Sequence, residues 1–516
     1  MQTKTPSQLF LVAAILLAPQ LAFAQLAVSN LLTDHAVLQS DTDVPVWGRA
    51  EAGAEVTVEF ANQKKTTTAA TNGTWSLSLD PLTASFEPAE LNVSTNKETI
   101  TLTDILVGEV WICSGQSNMQ MSHKGVPELR PLVRQAKHIR SFHVKRTVAF
   151  EEAENVTGTW RTEIPDSAVA FSFAHFLQAK SETPVGIILS CWGSSSLEAW
   201  MPRDMVDSVP HFKAMMDNFD ADTKTRKRIE SILNGKQPWP RADDIFLRRQ
   251  TNILYNAMLH PLAPYACRGL VWYQGERNAQ TMKDGVKEPW YSNHSGMLKY
   301  GETLKKWIQR NRKQFRNDEM QFLIVMLPGY GRVLPSGPNA GPESPDAHSW
   351  AWMRESQLQV LDLPNTAIAN TIDLGDVKNI HPKDKLPIGQ RLALLARTAQ
   401  ENESMTQGPS MTRVESGGEQ LTVHFENADG LKTVDGSSPT GFWICDASIK
   451  WVPANAAIKG ETVVLSSAEI EKPLHVRYAF AGKPKVNLVN GADLPTLPFR
   501  SDSLEPVFRA AKTDAQ

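Results

Sequence analysis

The chain has 516 residues, more than one hydrophobic core usually organises, so two to four domains are expected. Charged residues make up 21% and hydrophobic residues 41%, and the formal net charge is −3, which argues against a nucleic-acid partner or an anionic membrane surface. Four Cys, with no Cys-x-x-Cys or His-x-x-x-His spacing, exclude a disulfide framework and give no metal signature.

The first 24 residues carry Lys4, the apolar run "LFLVAAILLA" and the small-x-small site Ala22-Phe23-Ala24. That combination predicts a secretory signal peptide cleaved after Ala24, hence a secreted or periplasmic protein. No later run is apolar over about 18 residues, so no membrane insertion is expected. From 25 to about 105, "VPVWGRA", "AEVTVEF", "GTWSLSL" and "AELNVST" alternate apolar with polar residues, which predicts a small antiparallel β-sandwich. From about 106 the pattern changes to five near-continuous apolar runs: "ILVGEVWIC", "VGIILSC", "RGLVWYQ", "QFLIVML" and "NTAIANTI". Strands buried on both faces read this way in a parallel sheet. Amphipathic stretches such as "SAVAFSFAHFLQAK" and "YGETLKKWIQRNRKQF" lie between them, so residues 106–404 are expected to form a doubly wound α/β domain. Residues 203–250 are polar and predict a helical insertion; the Pro/Gly-rich stretch 328–350 predicts a loop at a substrate rim. Alternation returns after 405, predicting a C-terminal β-domain or β-extension over 405–516. Cys113, Cys191, Cys267 and Cys445 are expected as buried free thiols.

Ligands of open α/β sheets gather at the carboxyl ends of the strands. The first apolar run ends in "CSGQSNM", a small polar turn that presents Ser117. A serine hydroxyl becomes a nucleophile only beside a base and beside donors aimed at the developing oxyanion. The second run ends in "SCWGSSSLEAW", with backbone N–H groups at Gly193 and Ser194. The third ends in "WYQGERN", with Gln274, Gly275 and Glu276. Past the fifth comes "TIDLGDVKNIHPKDK", with His381. Nucleophile, backbone donor, amide side chain and base follow one another at four strand ends. The plainer alternatives are a strand terminator for Ser117, an exposed loop imidazole for His381, and a satisfied buried polar pair for Gln274 and Glu276.

On these residues the chain resembles the sialate O-acetylesterase family of the SGNH hydrolase superfamily. "GEVWICSGQSNM", "WGSSSLEAW", "WYQGE" and "IHPKDKLPIGQRLALLA" look like its four blocks. "HAVLQSDTDVPVWGRA", "LYNAMLHPLAPY", "WAWMRESQ" and "VRYAFAGKPKVNLVNGADLPTLPFRSD" extend the likeness over nearly the whole mature chain. The resemblance implies a flavodoxin-like, SGNH-type parallel sheet of about five strands, flanked by N- and C-terminal β-domains. It implies Ser117 as nucleophile and His381 as general base, then acid. It assigns the oxyanion donors to the Ser117 N–H, the Gly193 turn and the Gln274 amide, with Glu276, Asn118 and Arg277 in substrate or support roles. No metal or organic cofactor is implied, and the partner is an acetylated carbohydrate.

The chain departs from the family in three places. Where family members carry Asp before the catalytic His, this chain has Lys378 and Asn379. The expectation is therefore a Ser117–His381 dyad, with Asp376 as candidate third member and Asp373 or a backbone carbonyl as alternatives. Ser194 replaces a Gly, and Arg277 replaces a Ser, either to bind an acidic sugar or to form a salt bridge. Tyr330, Trp352 and Arg354 are candidates for sugar contact or for core or rim packing. Three functions remain open at this level: deacetylation of sialic acids, deacetylation of a polysaccharide such as xylan or pectin, and carbohydrate binding without catalysis.

Overall fold

The computed structural model describes residues 25–279, 297–331, 343, 345, 349–401 and 406–504. The expected signal peptide and most of the Pro/Gly-rich rim loop lie outside the described residues. Helices covering a mixed sheet give an α/β fold. Its centre is six parallel strands: β1 (Thr99–Gly115), β2 (Ile139–His143), β3 (Val185–Cys191), β4 (Gly269–Tyr273), β5 (Gln321–Val325) and β6 (Thr366–Ala369), in the order β2-β3-β1-β4-β5-β6. The short strand Trp160–Arg161 pairs antiparallel outside β2.

The expectation of about five strands missed β2. Its sequence, "IRSFH", is no apolar run, yet four of its five residues are buried. Arg140 enters the interior because the Asp104 carbonyl and carboxylate receive its guanidinium. A buried charge of that kind is tolerated only when paired.

β1 is 17 residues long, and its burial changes halfway. Its first half alternates exposed and part-buried residues and pairs antiparallel with Ser85–Ser94; Leu106–Gly108 then pairs parallel with Val37–Gln39. From Ile105 onward every residue is buried, because β3 and β4 flank it and helices cover both faces. On one face Trp111 meets Phe173 of α1 (Ala168–Ser181), ring centroids 5.1 Å apart. On the other, Trp272 of β4 meets Trp307 of α2 (Tyr300–Phe315) at 4.6 Å. The Ser167 hydroxyl caps α1 by accepting the Ala170 N–H at 3.1 Å. Gly389 lets α3 (Leu386–Glu401) lie against α1, since a Cβ there would sit 2.2 Å from Ser172 Oγ.

Before β1 stand two sheets. Ala27–Val28, Val44–Arg49 and Thr74–Leu79 form one, while Glu55–Phe60, Gln63–Thr68 and Ser85–Ser94 join β1 in the other. The polar stretch 203–250 is helical at Pro210–Ala221, Thr223–Leu233 and Arg241–Leu247. After α3 come two antiparallel four-stranded sheets; at the second, Arg477 and Asp502 form a buried bidentate pair, both distances 2.8 Å. All four Cys are buried and free. Among the described residues no helix is long and apolar enough to cross a membrane.

Candidate active site

The sheet register decides which chain segments meet. Gly115 pairs with Cys191 on one side and with Tyr273 on the other, so β1, β3 and β4 end at one level. Ser117, Gly193 and Gln274 follow within two residues of those ends. Gly115 has φ +130° and lies where a Cβ would sit 2.2 Å from the Tyr273 carbonyl, so only glycine lets the turn leave the sheet there. The Gln116 N–H donates to the Tyr273 carbonyl at 3.0 Å and the Trp192 N–H to that of Gly115 at 3.0 Å, which fixes the turn from both sides. Ser117 then opens a single helical turn, Ser117–Gln120.

His381 arrives from the loop between β6 and α3. Its Nε2 lies 2.7 Å from Ser117 Oγ, across a sequence separation of 264. Burial, and after it the like charge of Lys385, holds the imidazole below its ordinary 6.5. Asn379 shapes the loop by accepting the His381 N–H at 3.0 Å and donating to its carbonyl at 2.9 Å.

The expected third member is corrected. Asp376 is exposed, and its Oδ1 accepts the backbone N–H groups of Lys378 at 2.6 Å and Asn379 at 2.8 Å. Those hydrogen bonds hold its carboxyl below the usual range. Asp373 is spent on Arg391, at 2.7 Å through both oxygens. Among the described residues neither carboxylate, nor any carbonyl, hydrogen-bonds His381 Nδ1.

The expected role of Gln274 is also corrected. Its side chain has no exposed surface, and its Nε2 faces three acceptors: Asn278 Oδ1 at 2.8 Å, the Ser195 carbonyl at 3.1 Å and Gln116 Oε1 at 3.2 Å. The amide is satisfied inside the protein and does not reach Ser117. It braces Gln116 instead. Gln116 Oε1 accepts from Gln274 and from the Arg277 N–H at 3.2 Å, leaving its Nε2 3.5 Å from Ser117 Oγ. Gln116 is thus the side-chain donor beside the hydroxyl, a role not expected from the sequence. Its signal was adjacency: it directly precedes Ser117 in the same turn.

Gly193 lies against the nucleophile turn, for a Cβ there would meet Ser117 Cβ at 3.1 Å. Its N–H donates to Gln120 Oε1 at 2.8 Å, so a substrate oxygen replaces that carbonyl to use it. Ser194 adopts φ +59°, the left-handed region that the family's Gly enters freely. Asn118 and Glu276 are buried and joined, Asn118 Nδ2 donating to Glu276 Oε1 and to the Ile380 carbonyl. Burial pushes the Glu276 carboxyl above its usual range despite that hydrogen bond. Arg277 contributes its backbone N–H. Farther back, Asn278 Nδ2 donates to both oxygens of buried Glu198, which also meets His211 Nε2 at 3.3 Å.

Of the rim residues, Trp352 and Arg354 are buried, and Arg354 donates to the carbonyls of Leu327, Pro328, Ala481 and Gly482. It ties the segment after β5 to the C-terminal sheets and is not a sugar contact. Tyr330 is half-buried against Trp350. A cleft of about 1170 Å³ is lined by Trp47, Tyr265, Cys267 and Asn317, before the starts of β4 and β5, and so lies at the opposite end of the sheet from Ser117.

A family model described as carbohydrate esterase, sialic acid-specific acetylesterase, matches residues 107–235 and 242–397, more than half of the chain. Sialate O-acetylesterase of Rattus norvegicus is 27% identical over 505 residues, covering 88% of this chain and 90% of the rat protein. The Homo sapiens protein of the same name is 27% identical over 75% of this chain and 74% of its own length. The crystal structure of a carbohydrate acetylesterase from Xanthomonas citri superposes with a TM-score of 0.78 at 30% identity, covering 93% of this chain and 100% of that one.

Proposed function

The chain belongs to the carbohydrate esterase family of sialic acid-specific acetylesterases, and on that premise we propose that Ser117 and His381 are its catalytic pair. It is a carboxylic ester hydrolase that removes O-acetyl groups from sugars. The observation that carries the residue assignment is the 2.7 Å contact between His381 Nε2 and Ser117 Oγ.

His381 takes the Ser117 proton as the alkoxide attacks the acetyl carbonyl. The tetrahedral oxyanion rests against the Ser117 N–H, the Gly193 N–H released from Gln120, and Gln116 Nε2. His381 returns the proton to the departing sugar hydroxyl, and a water activated by the same imidazole clears the acetyl-enzyme. Among the described residues no carboxylate takes part. Asn379 and Asn118 supply the orientation that an acid supplies in a triad.

The substrates are the O-acetyl groups of sialic acids, a reading supported by the family model and the mammalian relatives. Polysaccharide acetates are the second reading, since the Xanthomonas protein is described only as a carbohydrate acetylesterase, a class that includes them. The six parallel strands support the SGNH arrangement, with residues 25–105 and 405–504 as flanking β-domains and 1–24 as a cleaved export signal.

The test is acetate release by wild type and Ser117→Ala from 4-nitrophenyl acetate, 9-O-acetylated sialic acid and acetylated xylan. Release abolished in the variant supports Ser117, and the preferred sugar names the substrate branch. Equal release by both proteins overturns the assignment.

A further inference from the structure

Lys385 has no exposed surface, although it sits in the charged run "HPKDK" just before α3. An ammonium stays in a dry interior only where partners receive it. Its Nζ donates to Asn118 Oδ1 at 2.7 Å and stands 5.1 Å from the centre of the Tyr273 ring. Asn118 passes its own N–H bonds onward, to Glu276 Oε1 and, at 3.0 Å, to the Ile380 carbonyl. Asn118 follows Ser117, and Ile380 precedes His381. One amide therefore ties the nucleophile's turn to the base's loop. Its orientation is fixed by its neighbours: a flipped amide would turn its NH2 toward the ammonium and its oxygen toward two acceptors.

We propose that Lys385 is a positioning residue for ester hydrolysis, locking the Asn118 amide that holds the Ser117 turn and the His381 loop in register. The proposal rests on the reading of Ser117 and His381 given above. It explains how an imidazole with no acidic partner among the described residues stays aligned: the loop is held through its backbone carbonyl at Ile380. The charge has a second consequence. Glu276 and Asp384 attract the ammonium, Tyr273 presents its ring, and His381 feels it as a like charge. Burial outweighs the two carboxylates and brings the amine down to about 7. The hydrogen bond to Asn118 outlasts deprotonation, because a neutral amine still donates; the repulsion of imidazolium does not.

The test uses the full chain carrying Lys385→Met or Lys385→Gln, each checked for cooperative thermal unfolding. Two quantities are read: kcat/KM for 4-nitrophenyl acetate as a function of pH, and the rate of Ser117 labelling by an alkyl fluorophosphonate, located by mass spectrometry. Lys385→Met should slow both by about 10²-fold, the scale of a 1 Å misplacement. Lys385→Gln keeps an N–H to offer Asn118 and should lose less. Both should move the acid limb of kcat/KM to higher pH, because the like charge beside the imidazole is gone. Folded variants with wild-type rates and an unmoved limb would overturn the proposal. So would a Gln variant as slow as Met with its limb unmoved, or failure of both variants to fold, since Lys385 would then serve stability alone. Wild type that is labelled at Ser117 yet hydrolyses no acetate overturns the substrate reading and leaves the labelling comparison intact. Wild type that takes no label overturns both.

Discussion

His381 Nε2 stands 2.7 Å from Ser117 Oγ, and among the described residues the imidazole that makes this contact has no carboxylate behind it. Burial first and the Lys385 charge second hold it below 6.5, so the neutral base persists as pH falls through the ordinary histidine range. The plateau of kcat/KM should therefore extend below pH 6.5 and fall only at more acid values. A pH–rate profile with its acid limb at or above 6.5 contradicts this.

Asp376→Asn separates a dyad from a triad. Where an acid orients the catalytic imidazole, removing its charge costs about 10⁴-fold in kcat. Here the Asn oxygen can still accept the Lys378 and Asn379 N–H groups, and nothing else is asked of it. Steady-state kinetics should give a kcat within a few-fold of wild type. A loss on the triad scale restores Asp376 as third member.

Gln116→Ala should lower kcat by about 10²- to 10³-fold with little change in KM, the cost of one oxyanion donor. Gln274→Ala removes the brace on Gln116 and takes one buried partner from Asn278 Oδ1, which keeps the Leu197 N–H, and one from the Tyr300 hydroxyl, which keeps the backbone carbonyl of residue 274. Its unfolding temperature should fall, which Gln116→Ala should not cause to the same extent. The reverse pattern would return the donor role to Gln274.

Gln120→Ala frees the Gly193 N–H, whose present partner is Gln120 Oε1 at 2.8 Å. Activity should hold or rise, because the substrate oxygen no longer competes for that donor. Gly193→Ala should instead cost about tenfold or more, since its Cβ presses on Ser117. Measuring both with 4-nitrophenyl acetate checks the pair; a large loss in Gln120→Ala would make Gln120 part of the chemistry.

Asp502→Ala leaves the buried Arg477 guanidinium without its bidentate partner and should cost about 3–5 kcal/mol in a denaturant titration at neutral pH. Burial pushes the Asp502 carboxyl up, but the Arg477 hydrogen bonds and charge, with help from Arg500, outweigh it and hold it below the usual range. The stabilisation is thus present above the ordinary carboxylate pKa and is lost as pH falls through the lowered one. A variant as stable as wild type removes this pair from the account.

The sequence by itself determined what short-range patterning records. Near-continuous apolar runs marked the strands that other strands flank and helices cover, and the small polar turn after the first marked Ser117. β2 escaped because its Arg140 reads as exposed, and only the tertiary fold brings Asp104 to pair with it. The change of pattern near residue 106 was legible as well, yet it falls inside one strand, because β1 leaves the edge of one sheet and enters the middle of another. At the site, sequence order put Ser117, Gly193, Gln274 and His381 at strand ends, but register and side-chain reach decided their tasks. Gln274 lies too deep to meet a substrate oxygen, Gln116 stands in front of it, and Asp376 turns onto its own loop. Lys385 stands in the charged run "HPKDK" and yet is buried. Its burial follows from Asn118, 267 residues away in sequence, and no local pattern encodes that distance.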